Sequence, residues 1–157
     1  MAEIVIRQAI IEDIPEIQKL MRLDFAEAKK DFDPLYNINY SFEKDGVEYI
    51  NKSITNPNHI TLIATDENRI IGYIIASSKV NNQFINNLKI AELENMFILD
   101  KYRSQGYGSK LINEFFSWGK NIGAKRFIVY TFHNSKAVGF YKKNGFNDYG
   151  FELRYDL

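Results

Sequence analysis

The segment Arg103-Ser104-Gln105-Gly106-Tyr107-Gly108 constrains this chain most, because of what stands on either side of it. Before it, Ile90 to Leu99 reads as a strand. After it, Leu111, Ile112, Phe115, Phe116 and Ile122 recur on one side of a helix that Gly123 ends. Beyond that lies Phe127-Ile128-Val129-Tyr130, apolar at every position, as expected of a strand covered on both faces. A strand, a helix and a second strand in this order make a parallel crossover. Glycines at the first junction let the backbone turn tightly and approach a ligand. The free N–H groups and dipole of the helix start then favour a phosphate or pyrophosphate. A dinucleotide fingerprint would need glycine where Leu111 stands, and a P-loop would need four residues between its glycines rather than one. Two glycines alone are also compatible with a loop that only turns a corner.

The remaining elements follow from periodicity and breakers. Ile4-Val5-Ile6 is a short opening strand. A helix starts at Pro15, behind the favourable charges of Glu12 and Asp13, and runs to about Lys30 with Ile14, Ile17, Leu20, Met21 and Phe25 at helical spacing. Asp31-Phe32-Asp33-Pro34 stops it. Ser41 is the expected cap of a second helix holding Val47, Ile50 and Ile54, closed by Asn56-Pro57-Asn58. Ile60–Ala64 and Ile70–Ala76 form a hairpin across Thr65-Asp66-Glu67-Asn68-Arg69, and Asn81-Asn82-Gln83 is a loop. Ser135 caps a short helix through Tyr141 that Gly145 closes, and a last strand lies near residues 151–155. The expected fold is one α/β domain over residues 1–157, a mixed central sheet with helices on both faces.

Composition narrows the function classes. Lys plus Arg and Asp plus Glu are equal at 20 each, so no global charge draws the chain to nucleic acid or anionic lipid. Without cysteine there is no thiolate metal site and no cysteine nucleophile. Two histidines with no nearby carboxylate set argue against a metal site. The N-terminus is charged too early for a secretory segment and no apolar run approaches a membrane span, so a cytoplasmic protein is expected.

Three motifs in order give the sequence a family resemblance. Arg103-x-x-Gly106-x-Gly108 after Phe97-Ile98-Leu99 resembles the pyrophosphate loop of the GNAT N-acetyltransferases. Asn134-x-x-Ala137-x-x-Phe140-Tyr141, followed by Asn144-Gly145-Phe146, is similar to the segment that follows in that family, and Glu94 stands at its acidic position on the central strand. The likeness is dense from Ala91 to Phe146; before that it extends only to element order. Asp100 stands where a proline is frequent.

The resemblance implies a GNAT fold with a splayed pair of parallel strands and acetyl-CoA as co-substrate, without metal. Met96, Phe97 and Ile98 would bind the pantetheine arm through backbone groups. Arg103, Ser104, Gln105, Gly106, Tyr107, Gly108 and Ser109 would cradle the pyrophosphate. Asn134 would offer its amide to the cofactor and Ala137 would leave room for it. Tyr141 would flank the cofactor and act as general acid. The acceptor would be an amine, a small molecule such as a polyamine before a peptide amine, with no nucleic acid or membrane partner; a homodimer stays open. The alternatives are another acyl-CoA donor, or a CoA-binding regulatory module without turnover.

Acetyl transfer needs a neutral amine, so a base is expected. Glu94 is the first candidate and Glu92, two residues away on the same strand face, the second. Each could equally be a solvated carboxylate. His133 and His59 have less support. Asp24, Glu27, Asp31 and Asp33 with Tyr36 and Tyr40 form an acidic, aromatic cluster. It reads first as a solvated helix face and loop, and second as an attractor of cationic amines.

Overall fold

The structure, a computed structural model, describes residues 4–80 and 84–157. The Asn81-Asn82-Gln83 loop lies outside the described residues. Strand β1 (Ile4–Gln8) leads through a single 3-10 turn to helix α1 (Ile14–Asp31), with Pro15 in its first turn. The Asp13 carboxylate accepts from Arg7 Nη1 and Nη2 (2.7 and 2.9 Å) and from the Ile10 N–H (2.8 Å), which fixes the entry to α1. Helix α2 (Lys44–Thr55) starts after a 3-10 turn at Tyr40–Phe42. Ser41 does not cap it: its hydroxyl donates to the Gln18 carbonyl at 2.9 Å instead, linking the turn to α1.

Strands β2 (His59–Asp66) and β3 (Arg69–Val80) form the hairpin, with Glu67 at positive φ in its turn. Strand β4 (Lys89–Ile98) pairs antiparallel to β3 and leads through a 3-10 turn to helix α3 (Tyr107–Asn121). Strand β5 (Arg126–Val129) and helix α4 (Ala137–Lys143) follow, and Ser135 Oγ accepts the Ala137 N–H at 3.1 Å. The sheet order is β1-β2-β3-β4-β5, antiparallel except for β4 and β5. One face buries Ile17, Leu20, Met21, Ile50, Ile63 and Tyr73 under α1 and α2. The other buries Ile71, Ile74, Leu111, Ile112 and Phe115 under α3 and α4.

Two expectations need correction. Residues 151–155 form no strand; Phe151, Leu153 and Tyr155 stand almost fully exposed. Their alternation suits a strand, but a strand exists only where a neighbour supplies ladder hydrogen bonds; among the described residues the tail is held by side chains, Arg126 over the Tyr149 ring and Arg154 on Asp33. Strand β5 is therefore the sheet edge. Its four residues are only half-buried rather than covered on both faces, and Tyr130 lies beyond it, 63% exposed.

Candidate active site

The site begins where β4 and β5 part. Their parallel pairing runs from Ile90 and Arg126 to Leu93 and Val129, and β4 continues to Ile98 with no partner on the β5 side. The backbone groups of Met96, Phe97 and Ile98 lie on this continuation. Beyond Val129, Phe132 stacks on Phe32 at the end of α1, centroids 4.5 Å apart.

At the end of β4 the loop and α4 converge. Gly106, at φ +85°, is the residue before α3, with open space beside it. Gly108 serves a different purpose. A Cβ there would lie 3.0 Å from the Phe140 ring and 3.3 Å from Ile98 Cδ1, so its bareness lets α3, α4 and β4 meet. The first-turn N–H groups of α3 are left without helical partners, as at any helix start. Ser104, at φ +59°, Gln105 and Gly106 are exposed, while Tyr107 and Ser109 are half-buried. Asn134 is exposed in the turn before α4, and Ala137 opens that helix half-buried.

Arg103 reaches from the loop back to α1. Its guanidinium meets both Glu27 carboxylate oxygens (2.8 and 2.9 Å), its Nε donates to the Ile98 carbonyl (2.8 Å), and it lies over the Phe97 ring. It ties the loop to α1.

Tyr141 is buried in the α3/α4 core, edge-on to Phe140 and Phe146. Burial pushes its phenol above the ordinary value, and the negative charge of Asp24 adds to this. The hydroxyl is thus a held proton.

Glu94 is the extra residue of a β-bulge, since Ala76 and Ile75 pair with Leu93 and Asn95. Both its oxygens are used: one accepts from Tyr49 on α2 at 2.9 Å, the other from Ser77 on β3. Burial raises the Tyr49 phenol, and the Glu94 charge raises it further. Glu92 is ion-paired with Lys79. Of the two carboxylates, Glu94 is the one without an ion-pair partner among the described residues. His59 pairs across the sheet with Ser77; burial lowers its pKa, and its Nδ1 has no partner. His133 is exposed.

The acidic cluster is not one solvated face. Glu27 is taken by Arg103 and Asp33 by Arg154, while Asp31 is exposed. Asp24 turns inward, accepting from Asn95 Nδ2 at 2.9 Å, and Asn95 in turn accepts from the buried Tyr73 hydroxyl. Burial pushes the Asp24 carboxyl up to about 6. The sequence held one sign of this: Asp24 falls one residue before Phe25 and three after Met21, near the apolar side of α1.

The Acetyltransferase (GNAT) family pattern matches residues 16–146. The chain belongs to the GNAT acetyltransferase family. Over 98 residues it is 33% identical to N-alpha-acetyltransferase 30 of Schizosaccharomyces pombe, covering 62% of this chain and 63% of that one. Over 61 residues it is 34% identical to the uncharacterized N-acetyltransferase CgeE of Bacillus subtilis, covering 39% of this chain. The GNAT chain therefore spans 63% of the length of the first of these relatives and 24% of that of the second. Its fold is that of a Bacillus halodurans protein, BH1408, solved as a tetramutant, at TM-score 0.86 and 16% identity, covering 98% and 99% of the two chains. It is equally that of the aminoglycoside N-acetyltransferase AAC(6')-Iy in complex with CoA, at TM-score 0.77 and 18% identity, covering 100% and 96%. Among the described residues of this GNAT chain no helix is long and apolar enough to cross a membrane, and no three metal-ligating side chains cluster.

Proposed function

We propose that this GNAT chain transfers acetyl from acetyl-CoA directly to an amine, a small cationic amine such as a polyamine in preference to a protein N-terminus or lysine. The observation that carries the reading is the splay after Leu93 and Val129, which leaves β4 backbone beside the glycine loop. That arrangement fits the cofactor. Met96 to Ile98 hold the pantetheine arm as an added strand would be held. Ser104 to Ser109 hold the pyrophosphate at the α3 N-terminus. Asn134 and Ala137 flank the arm from the α4 side, and Arg103 fixes the loop against α1.

When bound, acetyl-CoA supplies an activated acetyl thioester. An alkyl ammonium of pKa ~10.4 needs roughly 4–5 kcal/mol to lose its proton at pH 7, and Glu94 accepts that proton through water. As the nitrogen bonds to the acetyl carbon and the carbon–sulfur bond breaks, Tyr141 gives its proton to the departing thiolate, and the second proton shed by the nitrogen restores the phenol through water. The fold likeness to an aminoglycoside N-acetyltransferase supports a small-molecule acceptor.

The test is release of free thiol from acetyl-CoA across a panel of polyamines, aminoglycosides and peptides. Turnover with small cationic amines is expected. Tight CoA binding with no turnover across the panel would make the chain a CoA-binding module.

A further inference from the structure

We propose that Asp24 sets acceptor specificity: its carboxylate binds a cationic group that the acceptor carries in addition to the nitrogen that is acetylated. This rests on the acetyltransferase reading above and names the residue that selects within its substrate class.

Asp24 projects from α1 onto the part of β4 that β5 has left, and Asn95 Nδ2 holds it there at 2.9 Å. Its charge acts on three hydroxyls from three directions: Tyr141 of α4, Tyr73 of β3 and Tyr36 of the connection after α1. Phe25, the next residue on α1, meets Tyr36 edge-on at 5.4 Å and forms an aromatic wall beside it.

What the carboxylate lacks is a cation in direct contact, since Arg103 acts on it only from a distance and is itself paired with Glu27. Glu27 and Asp33 each face an arginine of the chain, whereas Asp24 has no ion-pair partner among the described residues. Asn95 gives it one neutral hydrogen bond. A largely buried carboxylate without a cation is unfavourable in the free protein, and a cationic ligand relieves that. The residue is not sealed, because part of it remains open to solvent. The rings of Phe25 and Tyr36 suit a cation on their faces as well.

The cation it binds is not the reacting nitrogen. A carboxylate held against that nitrogen would stabilise its protonated form, which cannot attack. Asp24 is instead matched to a second ammonium or a guanidinium a few bonds away, as in a diamine.

The experiment compares putrescine with n-butylamine, with CoA present as an unreactive cofactor so that binding is read by calorimetry without turnover. The wild type should prefer putrescine by on the order of 10-fold or more, one ion pair's worth. Asp24→Asn should abolish that preference while leaving n-butylamine and CoA binding unchanged, and Asp24→Glu should restore part of it. In turnover, Asp24→Asn should raise the KM for putrescine with little change in kcat.

A second arm uses the wild type alone. Burial holds the Asp24 carboxyl at about 6, above the ordinary carboxylate range, despite Asn95 and Arg103 favouring ionisation and with Glu27 opposing it. The putrescine preference should therefore be present at pH 7.5 and shrink at pH 5, a result that stands even if Asp24→Asn fails to fold. Equal affinity for both amines in the wild type, or a preference that survives Asp24→Asn or acid pH, overturns the proposal. Absence of thiol release with any amine would sink the acetyltransferase reading instead, leaving the binding arm to decide the role of Asp24.

Discussion

Arg103 reaches from the glycine loop back to α1, where its Nη2 lies 2.8 and 2.9 Å from the two carboxylate oxygens of Glu27. The pair joins the strand-to-helix connection to the helix that bears Asp24. Because both partners are partly exposed, its direct worth is modest, on the order of 0.5–1 kcal/mol. Its larger effect is positional, since Arg103 Nε also holds the Ile98 carbonyl. Arg103→Met and Glu27→Gln should each weaken acetyl-CoA binding by a few fold, and the double variant should be no worse than Arg103→Met. A double-mutant cycle by calorimetry checks this. Fully additive losses would mean that Arg103 and Glu27 act on cofactor binding independently rather than through their pair, and an unchanged affinity in Glu27→Gln would mean that Glu27 plays no part.

Glu94 receives hydroxyl hydrogen bonds from Tyr49 and Ser77 and has no ion-pair partner among the described residues. As base, its loss should be relieved where more of the acceptor is already neutral. Glu94→Gln should lower turnover at neutral pH by on the order of 10²-fold and recover in part at high pH. Tyr49→Phe should have a smaller effect, because one of two donors remains. An unaltered pH–rate profile in Glu94→Gln would remove Glu94 from the role.

The two loop glycines should fail differently. Gly106, at φ +85° with nothing near its missing Cβ, should tolerate alanine at roughly 1 kcal/mol of backbone strain. The side chain of Gly106→Val would occupy the open space assigned to the pyrophosphate, so acetyl-CoA affinity should fall far more than thermal stability. Gly108→Val, by contrast, pushes on Phe140 and Ile98 and should lower the melting temperature first. Paired melting and calorimetry on both variants separate the effects. Unchanged acetyl-CoA affinity in Gly106→Val would displace the phosphates from this loop.

Asp13 offers a test of the fold independent of the site. Hydrogen bonding from Arg7, joined by the Ile10 N–H, holds its carboxyl below the ordinary carboxylate range despite partial burial. The folded value lies below the unfolded one. The stabilisation is therefore complete above the unfolded pKa of about 3.9 and disappears as pH falls through the folded value. Asp13→Asn should cost on the order of 1 kcal/mol at pH 7, and the gap to wild type should close in strong acid. Urea unfolding at several pH values measures it.

What could be read from the sequence was what neighbours in the chain decide. The Ile60–Ala76 hairpin, the apolar faces of α1 and α3 and the loop at Gly106 each have their cause within a few residues. The divergence of β4 and β5 was also expected, through the order of motifs around them. Three features were hidden because their causes are distant. Residues 151–155 alternate as a strand does, but pairing depends on whether an edge is offered to them. Asp24 looked like one more solvated charge among Glu27, Asp31 and Asp33. Its inward turn is set by Asn95, 71 residues later, and by Tyr73 behind it. Arg103 likewise carried a loop motif and found its partner on α1.

Tyr141 is where the chemistry is most exposed to test. It lies in the core cluster under α3 and α4, edge-on to Phe140 and Phe146, and beside the convergence of Gly108, Phe140 and Ile98. Burial and the Asp24 charge both raise its phenol, so it stays protonated throughout the neutral range. A thiolate whose conjugate thiol has pKa about 8.5 is a weaker base than the phenolate this leaves, so the transfer is uphill by itself and is completed as the phenolate takes up the proton that the acylated nitrogen sheds. Tyr141→Phe keeps the ring and its edge-on contacts and removes only the donor. Turnover should fall by on the order of 10²-fold, with acetyl-CoA affinity and melting temperature nearly unchanged. Because Asp24 contributes to raising the phenol, Asp24→Asn should make Tyr141 a slightly stronger acid, an effect that Tyr141→Phe erases. Full activity in Tyr141→Phe would reduce the residue to packing, and a large loss of stability would assign it to the core it shares with Phe146.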